Sequence, residues 1–244
     1  MSRGEQALRR KRRKERRYQR QRERIFRQEG DFEDFLPPDV RVNGYTVTFD
    51  QLDREEESDP ALDEALKDGR EELYRKVGEE PAAAIPQLES LLARFPDSRV
   101  LMNWLAKAYA GNHQIEKSDA IVRRNYQLHP RYLFARLNYA QTLLRDGKTA
   151  EAAQVMDHKW DLKALHPDLD LFHITEFVSL SHLAVIYYIT IGEFEAAHSI
   201  FTLLEQVVPG HEITKLLKPL VETSTLILAL KLMTERRLAK GLLP

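Results

Sequence analysis

Residues 95–130 read FPDSRVLMNWLAKAYAGNHQIEKSDAIVRRNYQLHP, and their spacing decides the fold. Phe95-Pro96 ends one stretch, and His129-Pro130 ends another thirty-four residues later. The next stretch keeps step: Leu105 aligns with Tyr139, Ala106 with Ala140 and Tyr109 with Leu143. A 34-residue period is the length of a helix–turn–helix repeat. One such unit cannot bury its own apolar face, so three or more must stack. Stacked units make surfaces that hold other molecules. The period therefore implies binding and names no partner.

Working outward, Asp59 suits an N-cap and Pro60 the first helical position. Leu62, Leu66, Gly69, Leu73 and Val77 recur at helical spacing and predict one helix that stops at Gly78. A second helix is expected from about Pro81 to Arg94. Paired helices then continue to a terminal one that Pro219 interrupts or starts, ending near Ala239. Three units follow from this phase: 99–132, 133–166 and 178–211. An insertion from about Lys159 to Phe177 separates the last two. Residues 60–98 read as a degenerate preceding unit.

These units resemble tetratricopeptide repeats, whose pattern is W-x2-L-G-x2-Y, A-x3-F and P. In the unit 99–132 the matching residues are Met102, Leu105-Ala106, Tyr109, Ser118, Val122 and Pro130. In 133–166 they are Tyr139-Ala140, Leu143, Gly147, Ala152 and Met156. In 178–211 they are Ala184-Val185, Tyr188, Gly192, Ala197, Phe201 and Pro209. Asn125 departs from the family's alanine. The resemblance implies an all-α, right-handed helix–turn–helix solenoid. It also implies that a protein or peptide lies in a groove formed by the first helix of each unit. Mapped onto this chain, the groove residues are Asn103, Lys107, Asn138, Gln141, Arg145, His182 and Ile186. Some members clamp a C-terminal carboxylate there. Asn138 fits that clamp and Asn103 and Lys107 stand with types exchanged, but Ser179 and Leu183 occupy the places of its two cations.

Ahead of the repeats, residues 40–49 read VRVNGYTVTF. Asn43-Gly44 between alternating residues predicts a two-residue β-hairpin, because a type I′ turn needs positive φ at both positions. Val42 then faces Tyr45, and Val40 faces Val47. Val40, Val42, Tyr45, Val47 and Phe49 share one face. A lone hairpin is marginal in water, so that face is expected to pack on the helices or on a partner. From Asp50 to Asp68 the chain carries nine acidic residues against Arg54 and Lys67.

The formal net charge of −1 over 244 residues hides an asymmetry. Residues 1–30 hold 13 basic and 4 acidic residues, a net +9, which leaves −10 on the remainder. Arg9, Arg10, Lys11, Arg12, Arg13, Lys14, Arg16, Arg17, Arg20 and Arg24 dominate this arm. It lacks an apolar stripe and so cannot dock on a core as a helix. One reading is phosphate-backbone binding, as in a nucleic-acid- or ribosome-associated factor. A second is an anionic membrane surface, for which the arm lacks the apolar face, and a third is a solvated tail that meets the acidic 50–68 segment. The organisation read from the sequence is an arm over 1–30, a linker with the hairpin over 31–58, and the repeat domain over 59–240.

Catalytic patterns are thin. Asp146-Gly147-Lys148-Thr149 looks like the end of a phosphate loop, but the required glycine five residues earlier is Thr142. It falls where an inter-helix turn belongs. Glu195-x-x-His198 has no second copy to complete a di-iron site. Asp161, His166, Asp170 and His173 on the insertion are the residues on which an enzyme reading would rest. No metal, cofactor or catalytic residue is expected. The absence of cysteine suits a reducing compartment. The longest uncharged run, Phe177 to Gly192, is shorter than the roughly 20 apolar residues of a membrane span. A cytoplasmic adaptor without membrane contact is the expectation.

Overall fold

The structure is a computed structural model that describes residues 39–50, 52 and 60–239, with side chains up to residue 228. The described residues form eleven helices and three short strands. They fall into two compact units. The middle unit is Gln51–Lys159. The other combines the hairpin segment, up to Asp50, with the chain from Trp160 onward. No helix among the described residues is long and apolar enough to cross a membrane.

The middle unit is helical throughout: α1 (Pro60–Leu66), α2 (Arg70–Glu79), α3 (Pro81–Arg94), α4 (Arg99–Gly111), α5 (Ile115–Leu128), α6 (Leu133–Arg145) and α7 (Thr149–Val155). Each of α2 to α6 packs on the next, and α2 touches α4 as α4 touches α6. Leu62, Leu73, Leu88, Leu101, Met102 and Leu105 belong to one continuous core. The helix expected from Pro60 to Gly78 is two helices, α1 and α2. The chain breaks at Lys67 to Gly69, where Gly69 supplies no side-chain cap to α2. Leu62, Leu66, Leu73 and Val77 are nevertheless all buried, so the apolar spacing survived the break.

The 34-residue step has a backbone cause. Residues 80, 95, 129, 166 and 208 each precede a proline and end a helix. Their φ lies between −131 and −126° and their ψ between 57 and 75°. The proline ring disfavours the α region for its predecessor, so the helix stops there. The turns inside each pair repeat as well. The amides of Gln114, Lys148 and Glu193 donate to the carbonyls of Tyr109, Leu143 and Tyr188 at 2.8, 2.8 and 2.9 Å. The residues before those donors, His113, Gly147 and Gly192, are left-handed, with φ of 58, 75 and 80°. This is the Schellman ending, which satisfies carbonyls the helix itself cannot. Gly147 is thus the turn residue, and the phosphate-loop likeness around it has its explanation.

Small residues let the paired helices meet. Ala106 and Ser118 are buried together, and the Ser118 hydroxyl donates to the Ala106 carbonyl at 2.9 Å. Ala140 and Ala152 are both fully buried, as are Ala184 and Ala197 in the other unit.

The second unit contains β1 (Val40–Val42), β2 (Tyr45–Thr48), α8 (Leu162–Leu165), β3 (Leu171–His173), α9 (Ile174–Thr190), α10 (Phe194–Val207) and α11 (Glu212–Ala239). The hairpin has the register Val40↔Val47, Arg41↔Thr46 and Val42↔Tyr45. Asn43 and Gly44 both have positive φ, 41 and 94°. The sequence did not announce β3, which pairs parallel to β2 through Thr46↔Leu171, Val47↔Phe172 and Thr48↔His173. Val42, Tyr45, Val47 and Phe172 are buried, and β2 and β3 both contact α9. Tyr45 meets Phe172 edge-on at 5.1 Å. Burial and the Asp161 carboxylate, which accepts its hydroxyl proton, hold the Tyr45 phenol far above its ordinary range. The hairpin face therefore packs on the chain's own helices. The insertion begins at Met156, earlier than the spacing suggested, and α9 starts at Ile174. Pro219 lies inside α11.

Candidate partner-binding face

The first helices of the pairs in the middle unit are α2, α4 and α6. From α6, the Asn138 side-chain NH2 donates to the side-chain amide oxygen Oδ1 of Asn103 on α4. From α4, the Lys107 ammonium sits 5.1 Å from the centre of the Tyr74 ring on α2. Tyr74 in turn packs against Trp104, with ring centres 5.5 Å apart. Asn103, Lys107 and Asn138 thus share one face with Tyr74, and Gln141 is exposed on the same helix as Asn138. Tyr74 is 49% exposed, an unusual state for a large ring with one side already packed.

Three other expected groove residues take no part in these contacts. Arg145 donates to Asp119 on α5 at 2.5 Å and approaches Asp146 at 3.6 Å. Its charge fastens α6 to α5. The pairing raises the guanidinium above its usual range, the Asp119 hydrogen bond being the largest cause. His182 and Ile186 belong to α9 in the other unit, where both are half-buried. Burial pushes the His182 imidazole below its usual value.

No family of proteins, curated protein or solved structure matches this chain. The site therefore stands on its own geometry.

The four insertion residues on which an enzyme reading rested each hold the fold. Asp161 caps α8 by accepting from the Lys163 and Ala164 amides at 2.9 and 3.1 Å. Asp170 pairs with Lys163 at 2.6 Å. The His166 ring packs toward Phe172. His173 caps α9: its Nδ1 accepts from the Thr175 amide, and its own amide donates to Glu176 at 2.8 Å. Glu195 and His198 are both exposed on α10. No group of three or more His, Asp or Glu with metal-holding geometry occurs among the described residues. The arm residues Arg9, Arg10, Lys11, Arg12, Arg13, Lys14, Arg16, Arg17, Arg20 and Arg24 lie outside the described residues.

Sequence reading missed Arg136. It is 8% exposed at the start of α6. Its Nε donates to the Val155 carbonyl at 2.8 Å and its NH2 to Asp157 at 2.7 Å. A charge-assisted bond thus closes the C-terminus of α7. Tyr74 was missed because its helix is out of phase with the later units. Its distance from Lys107 is 33 residues, one short of the repeat.

Proposed function

We propose that this chain is a non-enzymatic binding scaffold, a TPR-like right-handed solenoid that takes a protein or peptide on the face of its first helices. The observation that carries the reading is the Asn138-to-Asn103 contact between equivalent helices, with Lys107 and Tyr74 beside it. It sets polar groups, a cation and a half-exposed ring in a row across three successive first helices. Such a surface offers hydrogen bonds to a peptide backbone and a ring for an apolar anchor, the mix that binding surfaces use. The repeated Schellman turns and pre-proline endings favour the tetratricopeptide resemblance, and the cytoplasm remains the proposed location. The structural tasks found for Asp161, His166, Asp170 and His173 favour binding over catalysis.

Because Arg145 is committed to Asp119, Lys107 and Asn138 are the residues to change. Affinity capture from the native lysate compares the full chain with the double variant Lys107→Glu, Asn138→Ala. A control, Ser90→Glu, carries its change on α3, a second helix. The reading expects the same proteins retained by wild type and control and lost from the double variant. Equal retention by all three contradicts it.

A further inference from the structure

Another feature of the middle unit is a rim of arginine. The turns after α3 and α5 lie side by side: Arg124 NH2 donates to the Pro96 carbonyl at 2.7 Å, and the His129 ring meets the Asp97 carbonyl at 2.7 Å. Arg94, Arg99, Arg123, Arg124 and Arg131 gather along these turns and the end of α5, with Asp97 as the acid among them. Asp97 sits 4.0 Å from Arg124. Arg94, Arg123 and Arg131 are exposed and pair with no carboxylate among the described residues.

Rings are set between these cations. Arg94 lies over Phe95 at 5.3 Å and Arg99 over Tyr132 at 5.0 Å. Tyr132 meets Phe134 edge-on at 5.7 Å. A guanidinium held against a ring keeps a fixed plane. The outer face of the exposed Arg94 is then ready to stack on another flat group, and its edge N–H groups can reach phosphate oxygens.

The geometry points to this rim as a second binding surface, for single-stranded nucleic acid. Charge selects a polyanion. The choice of arginine at all five positions, and the ring-backed planes, select one that carries both phosphates and flat bases. An acidic peptide would answer the charge and leave the planes unused. A membrane surface would require an apolar face to insert, and Leu128 is the large apolar side chain exposed along this rim.

The test uses the full chain, with its own basic arm in place, and a fluorescein-labelled oligouridylate followed by anisotropy over a salt series. The rim variant is Arg94→Ala, Arg123→Ala, Arg131→Ala. The charge-matched control is Lys67→Ala, Lys117→Ala, Lys148→Ala. The expected result is roughly tenfold or greater loss of affinity for the rim variant. Its slope of log affinity against log salt should fall by about 2, at about 0.7 per phosphate contact. The control should keep the wild-type slope. Should the triple variant melt early by circular dichroism, the single change Arg131→Glu in an exposed turn carries the same sign. The proposal is overturned if oligouridylate does not bind, if rim and control variants lose equally, or if the rim variant binds as wild type does. It is equally overturned if polyglutamate or phosphatidylserine vesicles bind through the rim in preference to the oligonucleotide.

Discussion

The middle unit and the sheet-bearing unit are built from similar helix pairs but held by different means. In the middle unit each helix meets neighbours close in sequence, and α1 to α4 share one core. In the other, strands 125 residues apart in sequence pair side by side, Thr46 with Leu171. Local contacts cost little chain entropy to close, whereas the β2–β3 pairing must close a long loop first. The same type of helix pair can therefore belong to an assembly that forms from neighbours or to one that waits for a distant strand.

The largest expected effect breaks the long-range side. Phe172 is fully buried between Tyr45 and His166. Phe172→Ala should cost about 3–5 kcal/mol, read as a lower urea midpoint. Amide exchange should rise at Thr46, whose N–H bonds the Asp170 carbonyl at 2.8 Å. Next comes the local side. Arg136→Ala removes two charge-assisted bonds and leaves the Val155 carbonyl unmet, so it should cost about 2–3 kcal/mol, with loss of exchange protection confined to α7.

Acid should separate the units further. Burial places the folded-state pKa of His182, and of His211, below the unfolded value of 6.5. The unfolded chain then binds more protons, so stability is full above about pH 6.5 and falls as pH drops through the folded values. Both histidines belong to the sheet-bearing unit. Urea titrations at neutral and mildly acid pH should show the loss, and His182→Gln should reduce it.

The smallest effect sharpens the likeness between repeats. His113 holds the left-handed turn position that Gly147 and Gly192 fill elsewhere. His113→Gly should raise stability by about 0.5–1 kcal/mol, and Gly147→Ala should lower it by about 1 kcal/mol. Thermal melts of the two variants should move in opposite directions.

What could be read in the sequence follows the same divide. Asn43-Gly44 defined the hairpin register because its turn admits few alternatives. The X-Pro steps defined helix ends because proline acts on its immediate predecessor. Strand β3 was illegible because Leu171-Phe172-His173 is too short to show alternation and its partner is remote. Arg136 drew no reading from the sequence, since nothing local reveals that the end of α7 lies within its reach. Arg145 read as a free groove cation because its acid, Asp119, is on another helix. Of the candidate face, Asn103, Lys107 and Asn138 were mapped only through the tetratricopeptide resemblance, while Tyr74 sat one residue off the repeat.

The most direct measurement is site-specific photo-crosslinking in the cells that make this protein. A benzophenone side chain replaces Gln141 on the first-helix face or Ser90 on α3. The account predicts one discrete adduct from position 141, abolished by Lys107→Glu, and none of that species from position 90. The same adduct from both positions, or one from position 90 alone, would contradict it.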